Sequence, residues 1–187
     1  MKTFYLAIGL ALGVLSLSAR AQNQDTNNLN TALGRFESRP DALIGQGFGD
    51  VGNLPLGQAE VRVRACECRN LATGEKLYGL SVAWGENGRW LRLLVDDDEL
   101  DGLMDAVNRL ATIKGEDVTS LPGFEASFTT KAGLRVIAHS DRKDGTVLTY
   151  LQFEDSPRIP LSSIQIQQLG GLLQQGRKKL DALKAGN

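Results

Sequence analysis

Two cysteines separated by one residue, Cys66-Glu67-Cys68, are the first feature of this 187-residue chain that could do chemistry. On a regular strand their Cα atoms would lie ~6.6 Å apart with both side chains on one face, near the upper limit for a disulfide, so a bridge there requires a bulge. Three readings stand: two buried thiols, a strained bridge, or a metal or intermolecular role. A metal set needs further ligands, and His139 is the only histidine among scattered carboxylates. His139 precedes Ser140 and Asp141, but neighbours on a strand point to opposite sides, so the three form no proton relay and His139 reads as a strand-end residue. Asp96, Asp97, Asp98 and Glu99 offer the hard oxygens that calcium takes, without the spaced loop and glycine of an EF-hand. Helix capping accounts for them fully.

A second set is spread over predicted strands, where Arg62, Arg64, Arg89, Arg92 and Arg135 lie among Tyr78, Trp84, Trp90 and Tyr150. Guanidinium groups and rings on one sheet face could stack bases or grip an anionic polymer. The plainer reading is an exposed face on which arginine stems cover apolar rings. Arg62, Arg64, Tyr78, Trp84, Trp90 and Arg92 form the candidate binding face. Gly47-Phe48-Gly49-Asp50-Val51-Gly52 satisfies the GxGxxG dinucleotide pattern, which needs a strand before it and a helix after it. Leu43-Ile44 is too short for that strand and Pro55 interrupts the stretch where the helix would have to run, so a flexible glycine-rich loop is expected. With no nucleophile-base pair, metal set or cofactor loop, we assign no catalytic residue, metal ligand or cofactor from the sequence.

The elements that must hold these residues follow from periodicity. From Trp90 to Val95 the odd positions Leu91, Leu93 and Val95 are apolar, the period of a strand. Asp96 with Glu99 has capping-box spacing, and Leu100, Leu103, Met104, Val107 and Leu110 then recur at helical steps. Before them, Ala59–Asn70 is a strand whose apolar parity switches between Val61/Val63 and Cys66/Cys68. The switch implies a bulge near Ala65 or a strand apolar on each side in turn. Leu77 to Trp84 is the next strand, and Asn87-Gly88 is a type I′ hairpin signal. The same order recurs in Phe124–Thr129, Leu134–His139, Val147–Phe153 and a helix opened by Ser162 and Gln165. That helix carries Ile166, Leu169, Leu172, Leu173, Leu180 and Leu183 as its apolar stripe, with lysines near its end. The expected fold is α+β, with antiparallel sheet or sheets built from two βββα units and helices packed on one side. The candidate repeats are 59–113 and 123–184 of a single domain spanning 59–187.

At the N-terminus, Lys2, the apolar run Phe4–Leu17 and Ala19-Arg20-Ala21 read as a signal peptide cleaved after Ala21. The run is shorter than the ~20 apolar residues of a spanning helix, so no integral anchor is expected. No cysteine follows it, which disfavours a lipoprotein. Losing Lys2 and Arg20 moves the net charge from −1 to −3, a balance that argues against general nucleic-acid or anionic-membrane binding. Residues 22–58, rich in Asn, Gln and Gly, read as a polar leader and peripheral segment outside the core.

The run LVDDDELDGLMDAVNRL, then FEASFTTKAGLRV, then a terminal Leu-rich helix resembles a group of small, functionally uncharacterised exported bacterial proteins, over about Tyr78 to Leu183. The resemblance supplies no catalytic residues. In outline the repeated sheet-then-helix unit is also similar to Whirly-type single-strand nucleic-acid binders, an analogy of fold that carries little functional weight. The expectation is a periplasmic or secreted, non-enzymatic binding or interaction module, with an envelope protein or a second copy as partner. A small-molecule or lipid carrier using the space between sheet and helices is the alternative, and an enzyme the third.

Overall fold

A computed structural model describes residues 26–114, 123–140 and 146–186. The apolar run and the cleavage site after Ala21 lie outside the described residues, as do most of the polar connection before Gly123 and the turn from Asp141 to Gly145. Strands β1 (Ile44–Leu56), β2 (Ala59–Asn70), β3 (Lys76–Glu86) and β4 (Arg89–Asp96) form one antiparallel sheet in that order. Strands β5 (Glu125–Thr129), β6 (Leu134–Ser140), β7 (Val147–Phe153) and β8 (Ile159–Leu161) form a second. Helices α1 (Ala32–Glu37), α2 (Leu100–Thr112) and α3 (Ser163–Ala185) complete an α+β fold.

The repeat is ββββα rather than βββα, because each half gains a strand that its composition conceals. β8 is three residues long and contains Pro160, which cannot donate to a ladder and is tolerated at an edge. β1 is the larger correction, since the stretch expected to be a loop and leader is a 13-residue edge strand. Two of its glycines make room for α3. A Cβ at Gly49 would sit 2.7 Å from the Lys179 side chain, and one at Gly52 would sit 2.7 Å from Leu172. The second and third glycines of GxGxxG thus lie where the helix approaches the strand, and the bulge belongs to β1, between Asp50 and Gly52 opposite Arg64 and Val63, rather than to β2 itself. The β2–β3 register runs through Ala65 without a break.

Each helix covers the sheet of the other repeat. α2 follows the first sheet yet packs on β5 and β6, whereas α3 follows the second sheet and packs on β1 and β2. The two helices also pack on each other. One apolar core results, joining Val61, Val63, Leu80, Val82, Leu93 and Val95 of the first sheet to Val136, Leu151 and Phe153 of the second. Leu103, Val107, Ile166, Leu169 and Leu173 supply the helical share. Trp84 stacks on Phe153 across the sheets at 6.3 Å between ring centroids.

α1 is too short to stand alone, and side chains hold it at its N-terminus. Thr31 Oγ1 accepts the Gly34 N–H at 2.8 Å, while Asp96 accepts those of Ala32 at 2.7 Å and Leu33 at 3.0 Å. Asn28 ties the preceding 3₁₀ turn to β4, donating to the Arg92 carbonyl at 2.9 Å and accepting the Leu94 N–H at 2.8 Å. So fixed, α1 drives Leu33 and Phe36 against Cys66, Cys68 and Leu94 in a second, smaller core on the outer face of the first sheet. The segment read as peripheral thus contributes core on both faces, with Leu54 of β1 in the main one.

The acidic run before α2 caps and also ties the fold together. Asp96 and Glu99 form the expected capping box, with Glu99 accepting the Asp96 N–H at 3.2 Å. Lys131, in the β5–β6 turn, reaches Asp96 at 3.1 Å and Asp98 at 2.8 Å. From α3, Arg177 binds Asp97 at 2.9 Å and Asp101 at 2.7 Å, and Lys184 binds Asp97 at 2.6 Å. Lys131 pairs with two of the carboxylates that the calcium reading would use.

Replacing Asp96 by Ala leaves two helix N–H groups and Lys131 without their acceptor, and urea unfolding should show a loss of about 2–4 kcal/mol. The carboxylates of Asp98 and Asp96 raise the Lys131 pKa above its ordinary 10.5. A raised lysine contributes stability in full below that value and loses it as pH rises through the folded-state pKa. The urea midpoint should therefore fall above pH 10.5 more steeply in the wild type than in Lys131→Met.

Candidate functional site

On β3 the positions that face away from the main core and lie clear of α1 are Ser81, Ala83 and Gly85, all small, whereas Gly79 lies under Leu33 of α1. The first three floor a trough between taller neighbours. The register pairs Ala83 with Arg62 on β2 and Arg92 on β4, Ser81 with Arg64, and Gly85 with Trp90. Phe48 of β1 stands beyond Arg64, and Glu37 of α1 pairs with Arg92 at the trough's edge. The trough holds about 330 Å³ and is lined by Gln46, Phe48, Arg62, Arg64, Ser81, Ala83, Trp90 and Arg92.

Its walls are pre-set by stacking and ion pairs. The Arg62 guanidinium lies 4.3 Å from the Trp90 ring centroid and the Arg64 guanidinium 6.0 Å from that of Phe48. Trp90 and Phe48 remain 46% and 43% exposed, so they present ring surface to a ligand. Each guanidinium meets one carboxylate: Arg62 meets Glu60 at 3.0 Å, Arg64 meets Asp50 at 2.9 Å and Arg92 meets Glu37 at 2.9 Å. A guanidinium has five donors, so each keeps N–H groups for a further acceptor. The trough can therefore hold carboxylates edge-on and apolar or planar groups against its rings.

Of the six residues expected to share a binding face, four do. Arg62, Arg64, Trp90 and Arg92 meet at the trough, whereas Tyr78 and Trp84 lie on the opposite face and pack against the main core. The Asn87-Gly88 turn decides this. Both residues have positive φ, at 50° and 78°, and the two-residue loop pairs Glu86 with Arg89, Gly85 with Trp90 and Trp84 with Leu91. The two tryptophans are thus forced apart. Burial beside Glu67 raises the Tyr78 pKa. Arg135 and Tyr150 lie on the second sheet. His139, paired in register with Glu125, has its Nδ1 3.8 Å from that carboxylate.

Cys66 and Cys68 continue the outer face of β2 beneath α1. Both are free and fully buried, with their sulfurs 3.7 Å apart. The switch in parity is a strand covered on one face by α3 and on the other by α1. The Cys66 thiol, burial and the Glu37 carboxylate push the Cys68 pKa above the usual thiol range. Sequence reasoning missed Phe48, Ser81, Ala83 and Glu37 as parts of this region. The run of small residues at alternate positions from Gly79 to Gly85 was the available signal.

No family model, curated protein or solved structure matches the chain in comparisons with known proteins.

A Cβ at Gly85 would meet the Trp90 ring at 2.7 Å. Gly85→Val should therefore displace Trp90 from Arg62 and expose it further. A red-shifted Trp90 emission, measured with Trp84→Phe as background, checks this; an unchanged spectrum would mean that the ring does not rest on Gly85.

Proposed function

We propose that the protein is an exported, non-enzymatic interaction module of the cell envelope that receives an extended acidic segment of a partner protein in the trough of the first sheet. The observation that carries this reading is the trough itself, with three guanidiniums and two exposed rings arranged over a floor of small residues. Each guanidinium already rests against a carboxylate, the group the partner would present. The floor runs along β3, so a chain lying parallel to it meets Arg62 and Arg92 on its two sides at the level of Ala83 and Arg64 two residues farther on at Ser81, ~6.6 Å along the strand. A net charge of −1 over the whole chain favours a local carboxylate contact over the general polyanion binding of a basic surface.

Export rests on Lys2, the apolar run and Ala19-Arg20-Ala21. No helix among the described residues is long and apolar enough to cross a membrane. Core side chains such as Leu80, Leu93, Leu103 and Leu173 fill the centre between the sheets and helices; a cavity of about 270 Å³ between the end of α2, β7 and the start of α3, lined by Leu110, Ile113, Val147 and Ile166, is the place a small apolar ligand would take in the carrier reading.

Titration with an extended Glu/Asp-rich peptide, followed by Trp90 emission, is the test. Binding should weaken at least about tenfold in Arg62→Ala and Arg92→Ala, the loss of one charged hydrogen-bonding partner each, and should fall with added salt. Equal binding of neutral peptide, tighter binding of a single-stranded oligonucleotide, or indifference to these substitutions would each overturn the reading.

A further inference from the structure

We propose that Glu37, Cys66 and Cys68 form a binding site for a thiophilic divalent metal ion of the zinc class, sealed beneath α1. The three side chains come from two elements that α1 brings together. β2 places the two thiols on one face at successive pleats, and α1 delivers Glu37 as its last residue. The ligand atoms all lie within 4.8 Å of one another. Closer distances already match an ion. A tetrahedral zinc centre with bonds of about 2.3 Å to sulfur and about 2.0 Å to oxygen has edges of about 3.8 Å between sulfurs and about 3.5 Å from sulfur to oxygen. The two sulfurs stand 3.7 Å apart, and Cys68 Sγ stands 3.6 Å from Glu37 Oε1. No ligand has to travel far to bind.

Charge and shell fit as well. Arg92 takes the other carboxylate oxygen, Oε2, at 2.9 Å, which orients Oε1 toward the thiols in the way that outer partners fix metal ligands. Two thiolates and a carboxylate carry three negative charges, and a divalent ion with Arg92 supplies three positive ones. Binding would release both thiol protons and leave the fourth tetrahedral position to water. Leu33, Phe36 and Leu94 surround the cysteines with apolar side chains, a low-dielectric setting that strengthens the metal–ligand attraction. Two soft sulfurs select against calcium and magnesium. The acidic group Asp96, Asp98 and Glu99 differs on this point, since its donors are hard oxygens and Lys131 holds two of the three carboxylates. The site also touches the trough, because Arg92 belongs to both.

Co²⁺ titration of the full chain, reduced and under anaerobic conditions, is the experiment. One ion per chain is expected, with a sulfur-to-cobalt charge-transfer band that Zn²⁺ displaces, and Zn²⁺ should raise the melting temperature. Cys68→Ser should lose most of the band. Glu37→Gln should keep the charge-transfer band but weaken binding by roughly 10- to 100-fold, and far-ultraviolet circular dichroism checks that each variant folds. Should Cys68→Ser fail to fold, Glu37→Gln and the stoichiometry of the wild type decide the matter. Absence of the band, or binding that survives in Cys68→Ser, would overturn the proposal.

Discussion

Asp96 is only 4% exposed, yet three parts of the chain meet on its carboxylate. Its two oxygens accept the first N–H groups of α1, and one of them also receives the Lys131 ammonium from the second sheet. Burying a carboxylate costs several kcal/mol unless charge and hydrogen bonds compensate it, so the residue is stable there only while all these partners are in place. That dependence makes the junction cooperative. α1 has six residues and no means of persisting alone, so the carboxylate at the end of β4 decides whether it lies on the sheet. Asp97, Asp98, Glu99 and Asp101 extend the same junction to α3 and to the β5–β6 turn.

The consequences reach the outer face of the first sheet. An antiparallel sheet with one face on the core leaves the other to solvent unless something covers it, and α1 covers only the half that carries Cys66 and Cys68. The boundary between covered and open halves is where the trough begins. Glu37 sits on that boundary, facing Cys68 on one side and Arg92 on the other. A single short helix therefore borders the trough, seals the cysteines and supplies the carboxylate that links them.

Much of this was legible where periodicity is strong. The strand, cap and helix from Trp90 to Leu110, the Asn87-Gly88 hairpin and the Ser162 capping box follow from local rules, and the structure has them. The hairpin even contained the answer for Trp84 and Trp90, because a two-residue loop fixes the parity of both strands. β1 was hidden because two of its glycines answer to the approach of α3, a tertiary demand that strand propensity does not encode. α1 was hidden for a related reason. Thr31 marks its start, but Leu33 and Phe36 are too few to show a helical period, and the acceptors for its N–H groups lie more than sixty residues away on Asp96. Glu37 could not be joined to Cys66 and Cys68 without that helix.

Amide hydrogen exchange on the wild type and Asp96→Asn tests most directly whether the fold hangs on this carboxylate. The substitution preserves shape but weakens the acceptor and removes the charge that Lys131 meets. Amides of Leu33 to Glu37 and those of β2 around Cys66 should lose protection, while those of β6, β7 and α3 keep theirs. Undiminished protection in α1 would contradict the account, because the helix would then be held by the packing of Leu33 and Phe36 alone.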